Sequence, residues 1–298
     1  MTDKRISDQL SYPSKFVEVN GSKMHYVEAG TGDPILFLHG IPTSCYLWRN
    51  IIPHLMPLGR CIAPDLIGFG KSDKPSISYS VFDHIAYIEK FIEILGLKRI
   101  TLVMHGWGSI IGFDYMMRHE NNCKGLVFYE AFLRSLHGND VSLALQEQLV
   151  ELHDQEGIYD LAANALPFIE KIIPQNVMRE LTMEEMDHYR EPFLESGAGK
   201  PIMQYLKELP TGNNESNVEK LIEDYSKQLT KSKLPKLMLY SVPGFVTTIA
   251  TAMWAKENLP NLEIVDIGEE LHLAQESSPD LMGETISVWL QAVEQMGV

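Results

Sequence analysis

Cysteine is scarce in this chain of 298 residues. Cys45, Cys61 and Cys123 are odd in number, far apart and outside any C-x-x-C spacing. That excludes a disulfide framework and a zinc site, and predicts reduced, partly buried thiols in a cytosolic (cytoplasmic) protein. Positive charge is also short: 25 Lys and Arg stand against 40 Asp and Glu, a formal charge of −15. Nucleic acid and anionic membranes need a basic footprint, so neither is expected as the main partner. The N-terminus has no basic stretch leading into an apolar run, hence no secretory signal is read. No apolar run reaches the roughly 18 residues of a membrane-spanning helix. Internal repeats and low-complexity tracts are missing as well. What is present is an ordinary globular balance, 45% hydrophobic and 22% charged, in a chain long enough for one large domain or a core with an insert. This fits a protein that takes a neutral or apolar small molecule, and no metal or cofactor is expected.

Short β-branched runs alternate with helical patterns. Strands are predicted at Phe16–Val19, Met24–Glu28, Ile35–Leu38, Cys61–Pro64, Ile100–Met104, Leu126–Tyr129, Lys236–Tyr240 and Leu262–Ile267. The later runs are nearly all apolar, as parallel strands covered on both faces would be. Helical patterns include Val81–Leu95, Ile110–His119 and Leu281–Gln295. The alternation predicts a mostly parallel eight-stranded sheet with helices on both faces, and functional loops at the carboxyl ends of its strands. Between about Leu133 and Ser232 the rhythm breaks. Apolar positions such as Leu143, Leu145, Leu149 and Leu152, with Ile158, Leu161, Leu166 and Ile169, predict amphipathic helices. Pro167, Pro174, Pro192, Pro201 and Pro210 act as breakers, and Thr211–Asn217 is a polar turn. The expected division is a core of residues 1–132 and 233–298, with residues 133–232 as an inserted helical cap.

The strongest chemical motif is Leu102-Val103-Met104-His105-Gly106-Trp107-Gly108-Ser109. A buried strand, a tight turn and a helix are the setting of a nucleophile elbow. Its apex calls for Ser, Cys or Asp, yet it holds Gly106. Glycine suits a strained backbone with positive φ, but no covalent intermediate can form on it. Phe37-Leu38-His39-Gly40-Ile41 marks a strand end of the kind that supplies an oxyanion N–H. Glu130 follows the sixth predicted strand and His272 the eighth. Ser109, His105, Ser44 and Thr43 are expected to be structural, the last two as helix caps. Asp65 and Asp73 read as loop-fixing residues, and Thr182–Glu185 as a solvated helix start.

With these motifs in view, the chain resembles the haloalkane dehalogenases of the α/β-hydrolase superfamily. The residues that carry the likeness are His39-Gly40-x-Pro42-Thr43-Ser44 with Tyr46-Leu47-Trp48-Arg49-Asn50, then Pro64-Asp65-Leu66-Ile67-Gly68-Phe69-Gly70-Lys71-Ser72-Asp73-Lys74-Pro75, and Met186-Asp187-His188-Tyr189-Arg190-Glu191-Pro192-Phe193. The subgroup suggested carries its catalytic acid as a glutamate after the sixth strand. The scaffold is also similar to the coelenterazine luciferase lineage. The resemblance implies an α/β-hydrolase fold with an inserted helical cap over an apolar pocket. It implies His272 as the base, Glu130 as its orienting acid and Trp107 as a halide or oxyanion donor. It places Gly106 where the family has its nucleophilic aspartate and Ile41 where it has a halide-binding asparagine. Phe132, Phe168, Met203 and Phe245 are expected to line the pocket.

Three functional expectations follow. The leading one is an enzyme whose His272/Glu130 dyad acts without a covalent intermediate, aided by the N–H groups of Ile41 and Trp107. The second is a dehalogenase deprived of its nucleophile, naturally or by design. The third is a non-catalytic small-molecule binding protein.

Overall fold

A computed structural model describes residues 6–136, 142, 145–146, 161–210 and 216–295. The predicted positions Leu143, Leu149, Leu152 and Ile158, and the turn residues 211–215, lie outside these. Eight strands form one sheet: β1 Ser14–Val19, β2 Ser22–Ala29, β3 Pro34–Leu38, β4 Arg60–Pro64, β5 Ile100–Gly106, β6 Cys123–Ala131, β7 Lys236–Pro243 and β8 Leu262–Glu270. Their order is β1-β2-β4-β3-β5-β6-β7-β8. The β1/β2 and β2/β4 pairings are antiparallel and the rest parallel. This is the α/β-hydrolase fold.

Strands β3, β5 and β6 are buried along their whole length, which explains the apolar runs Ile35–Leu38, Leu102–Met104 and Leu126–Tyr129 within them. β8 differs from expectation. It is an edge strand with several exposed residues, so only part of it is covered. Helix Val81–Ile94 starts at a capping box between Ser80 and Asp83. Helix Trp107–His119 starts three residues earlier than its periodicity suggests, because the turn at Gly106 feeds directly into it.

Between β6 and β7 the described residues form helices Leu166–Gln175, Met183–Arg190, Lys200–Glu208 and Asn217–Leu229, and no strand. Pro167 and Pro201 sit in the first turns of two of them, where a missing N–H costs nothing. They start helices rather than break them. Helix Asn217–Leu229 packs on Trp107–His119 through Tyr225 and Phe113, whose ring centroids are 5.4 Å apart.

A buried ion network ties helix Met183–Arg190 to the core. Arg49 donates to both oxygens of Glu276, at 2.5 and 2.7 Å, and to Glu185 at 3.0 Å. Arg179 donates to the same two carboxylates, and the Tyr189 hydroxyl donates to Glu276. Thr182 does cap its helix, in a capping box with Glu185. The expectation of a solvated acidic run fails at Glu185, which is 2% exposed because two arginines compensate its charge. The three cysteines are free and buried. Among the described residues no helix is long and apolar enough to cross a membrane.

Candidate active site

The site sits where β5, β6 and β8 end. At the β5 turn Gly106 has φ 51° and ψ −125°, a backbone state nearly reserved for glycine. A Cβ at this position would lie 3.4 Å from Gly40 Cα and 3.4 Å from His272 Nε2. These are ordinary contacts, so the base ring faces the side-chain direction of residue 106.

The sixth strand runs two residues beyond its predicted end, and Glu130 is inside it. The β5/β6 register pairs His105 with Tyr129 and Gly106 with Ala131, leaving Glu130 as the extra residue of a bulge. Its φ is 51°. A bulge re-aims a side chain, and here the buried Glu130 carboxylate meets the loop after β7. One oxygen accepts the N–H groups of Phe245 and Val246 at 2.9 and 2.7 Å, and the other accepts Thr247 N–H at 3.2 Å. Gly244 permits that loop. It has φ 66°, and a Cβ there would come within 2.2 Å of the Thr247 carbonyl oxygen.

His272 Nδ1 lies 2.9 Å from Glu130 Oε2. A carboxylate that already accepts three N–H groups accepts again, so Nδ1 carries the proton and Nε2 presents its lone pair. The residue is 8% exposed. His105 lies beneath it, the ring centroids 4.4 Å apart, and donates from Nε2 to the His272 carbonyl at 2.8 Å. Burial holds the His105 ring well below the usual histidine range, so it stays neutral.

The other hydroxyls near the elbow are engaged. Ser109 donates to the Gly106 carbonyl at 2.6 Å and accepts the Phe132 N–H. Ser44 caps the next helical turn, accepting the Tyr46 N–H. Thr43 does not cap a helix; it donates to the Gly40 carbonyl at 2.7 Å and closes its own turn.

Trp107 is 1% exposed, with Tyr205 edge-on at 4.9 Å and Phe132 at 6.0 Å. A cavity of about 20 Å³ lies over His272, walled in part by Ile41, Phe168, Tyr205, Leu206 and Phe245. Such a volume holds about one water molecule. Phe132 is not on its wall and supports Trp107 instead. Met203 is also off the wall, about 200° around its helix from Tyr205.

Sequence reasoning missed Tyr205 and Asn176. Tyr205 alternates with ordinary packing residues and carries no motif; burial pushes its phenol above the usual range. Asn176 ends helix Leu166–Gln175, and its carbonyl accepts the Leu273 N–H at 2.9 Å, joining that helix to the His272 loop. The residues suit a buried base facing a small apolar space, with aromatic side chains around it.

Residues 33–173 match the family model of the alpha/beta hydrolase fold. A haloalkane dehalogenase of Sphingobium indicum is 38% identical over 283 residues, covering 93% of this chain and 95% of that protein. One from Mesorhizobium japonicum is 35% identical over 280 residues, covering 93% and 91%. Among solved structures, the haloalkane dehalogenase DbeA from Bradyrhizobium elkani superposes with a TM-score of 0.91 at 32% identity, covering 96% of this chain and all of that one. DatA from Agrobacterium tumefaciens, also a haloalkane dehalogenase, gives 0.89 at 31%, covering 94% and 97%.

Proposed function

The chain belongs to the haloalkane dehalogenase family of the α/β-hydrolase superfamily, and from that premise we propose that it uses His272, oriented by Glu130, as a base on an apolar small molecule without a covalent enzyme intermediate. Residues 133–232 serve as the cap over this site. One observation carries the reading. Nε2 of His272 faces the side-chain direction of residue 106 at 3.4 Å, where Gly106 offers no nucleophile. A base so placed takes a proton from a bound substrate or from water. The N–H groups of Trp107 and Ile41 then meet the developing negative charge. Removing a covalent nucleophile from such a unit costs of order 10⁴–10⁶ in rate, so ordinary dehalogenation is not the activity proposed.

The test is a mass-spectrometric screen of apolar small molecules incubated with the wild type and with His272→Ala. Turnover that survives the substitution overturns the reading. Ligands bound and recovered unchanged would assign the protein to the non-catalytic class.

A second reading has its own support in the ordinary contacts of a Cβ at residue 106. The site then belongs to a dehalogenase deprived of its nucleophile. Gly106→Asp with Ile41→Asn should release bromide from terminal bromoalkanes. A folded double variant without halide release counts against it.

A further inference from the structure

We propose that Ser14, His25 and Asp65 form a second nucleophilic site, distinct from the Glu130–His272 site, that hydrolyses small acyl esters. Sheet register builds it. In the antiparallel β1/β2 pair, Phe16 lies opposite His25, so Ser14, two residues earlier on the same face, is the diagonal neighbour of His25. Asp65 follows β4, next to β2, and its N–H bonds the His25 carbonyl at 2.9 Å.

The side chains then line up in series. Ser14 Oγ lies 3.0 Å from His25 Nε2, and His25 Nδ1 lies 2.7 Å from Asp65 Oδ2. Asp65 also accepts the backbone N–H groups of Cys45 and Lys71, at 2.7 and 2.8 Å. Those bonds keep it a carboxylate acceptor, which puts the His25 proton on Nδ1 and the lone pair on Nε2, toward Ser14. This is the order of roles in a serine–histidine–aspartate triad, with Asp65 as the positioning residue. The Phe16 ring, 5.1 Å from that of His25, holds the imidazole from the outer side.

Cys45 Sγ stands 4.0 Å from Nδ1, on the wrong nitrogen for activation, and burial pushes its thiol well up. A cation among His25, Cys45 and Asp65 would have to displace the bonds just described.

Ser14 is exposed, while His25 and Asp65 are buried behind it. All three border a cleft of about 440 Å³, with Leu10 and Pro192 as apolar wall and Lys71 and Lys74 as cations. Glu191 and Glu195 line the same cleft, and the positive charge of Lys71 and Lys74 is assigned to the tetrahedral oxyanion. In the reaction Ser14 Oγ bonds the acyl carbon as its proton passes to His25 Nε2. Collapse breaks the ester C–O bond, and the departing alkoxide takes that proton. Water repeats the sequence against the acyl-serine, so one ester and one water give one acid and one alcohol.

The experiment is labelling of the full chain with a fluorophosphonate, followed by peptide mapping. Ser14 Oγ should displace fluoride and carry the adduct, while the exposed Ser11 stays unlabelled. Ser14→Ala, a change at an exposed position, should abolish labelling and lower p-nitrophenyl acetate hydrolysis. His25→Gln should slow labelling at least about 100-fold. A Ser14 that labels no faster than Ser11, or an equal rate in folded His25→Gln, overturns the proposal. The first comparison is made within the wild type, so it decides even where His25→Gln fails to fold.

Discussion

His272 Nδ1 and Glu130 Oε2 stand 2.9 Å apart although 142 residues separate them in the chain. They meet because Glu130 is the unpaired residue of a bulge and is aimed by three backbone N–H groups. Glu130→Gln would turn an NH₂ group toward those donors or toward Nδ1–H, and with Nδ1–H unpaired the ring could adopt the wrong tautomer. Whatever turnover the screen finds should fall by about 10⁴, with the circular dichroism spectrum retained. A loss under tenfold would mean that the dyad orients nothing.

Gly106→Ala tests the elbow backbone. The added Cβ meets only ordinary contacts, so its cost lies in the φ of 51° and ψ of −125°. Residues held in such regions cost about 1–3 kcal/mol. Thermal denaturation should show a folded variant whose Tm is lower by several degrees. An unchanged Tm would show that the turn relaxes without glycine.

The buried Glu185 predicts an acid dependence of stability. Burial pushes its carboxyl up, but the Arg179 hydrogen bond, the Thr182 N–H and Arg49 together hold it below the ordinary range. A carboxyl lowered in the folded state adds stability above its unfolded pKa, about 4.3, and that contribution is lost as pH falls through the folded value. Glu185→Gln should therefore cost about 3 kcal/mol near neutrality, and the gap from wild type should narrow below about pH 4. Urea unfolding at several pH values measures it; a gap constant to pH 3 removes the ion network from the account.

Much of the fold was legible because its strands announce themselves. β3 is apolar throughout, β5 is apolar but for Thr101 and His105, and both are buried along their length, while Gly106 followed by Trp107 marks the turn between strand and helix. The placement of Glu130 was legible only in part. A bulge arises from the register of a neighbouring strand, and no local pattern around Glu130 encodes it. Glu185 failed for a related reason. Its capping-box role is local and readable, whereas its burial depends on Arg49, far away in the chain. Tyr205 and Asn176 gave no signal, since an amphipathic helix does not state which surface it will cover. Met203 is expected on the pocket wall only from the family resemblance, and on the same helix it is Tyr205 that borders the cavity over His272.

Tyr205 sets the last prediction. Its ring stands 4.9 Å from Trp107, and the cavity over His272 is about 20 Å³. As lined by the described residues, a space sized for about one water is too small for an apolar molecule of several carbons. A ligand entering this space displaces its walls, and those from residues 133–232 are Phe168, Ile172, Ile173, Asn176, Tyr205 and Leu206. Opening this wall costs free energy that is subtracted from binding, and each 1.4 kcal/mol of it lowers affinity about tenfold. Tyr205→Ala removes the ring that closes on Trp107. Stopped-flow binding of an apolar naphthalene fluorophore should then show faster association and tighter binding than the wild type. Association unchanged by the substitution would mean that ligands reach His272 by a route that does not pass Tyr205.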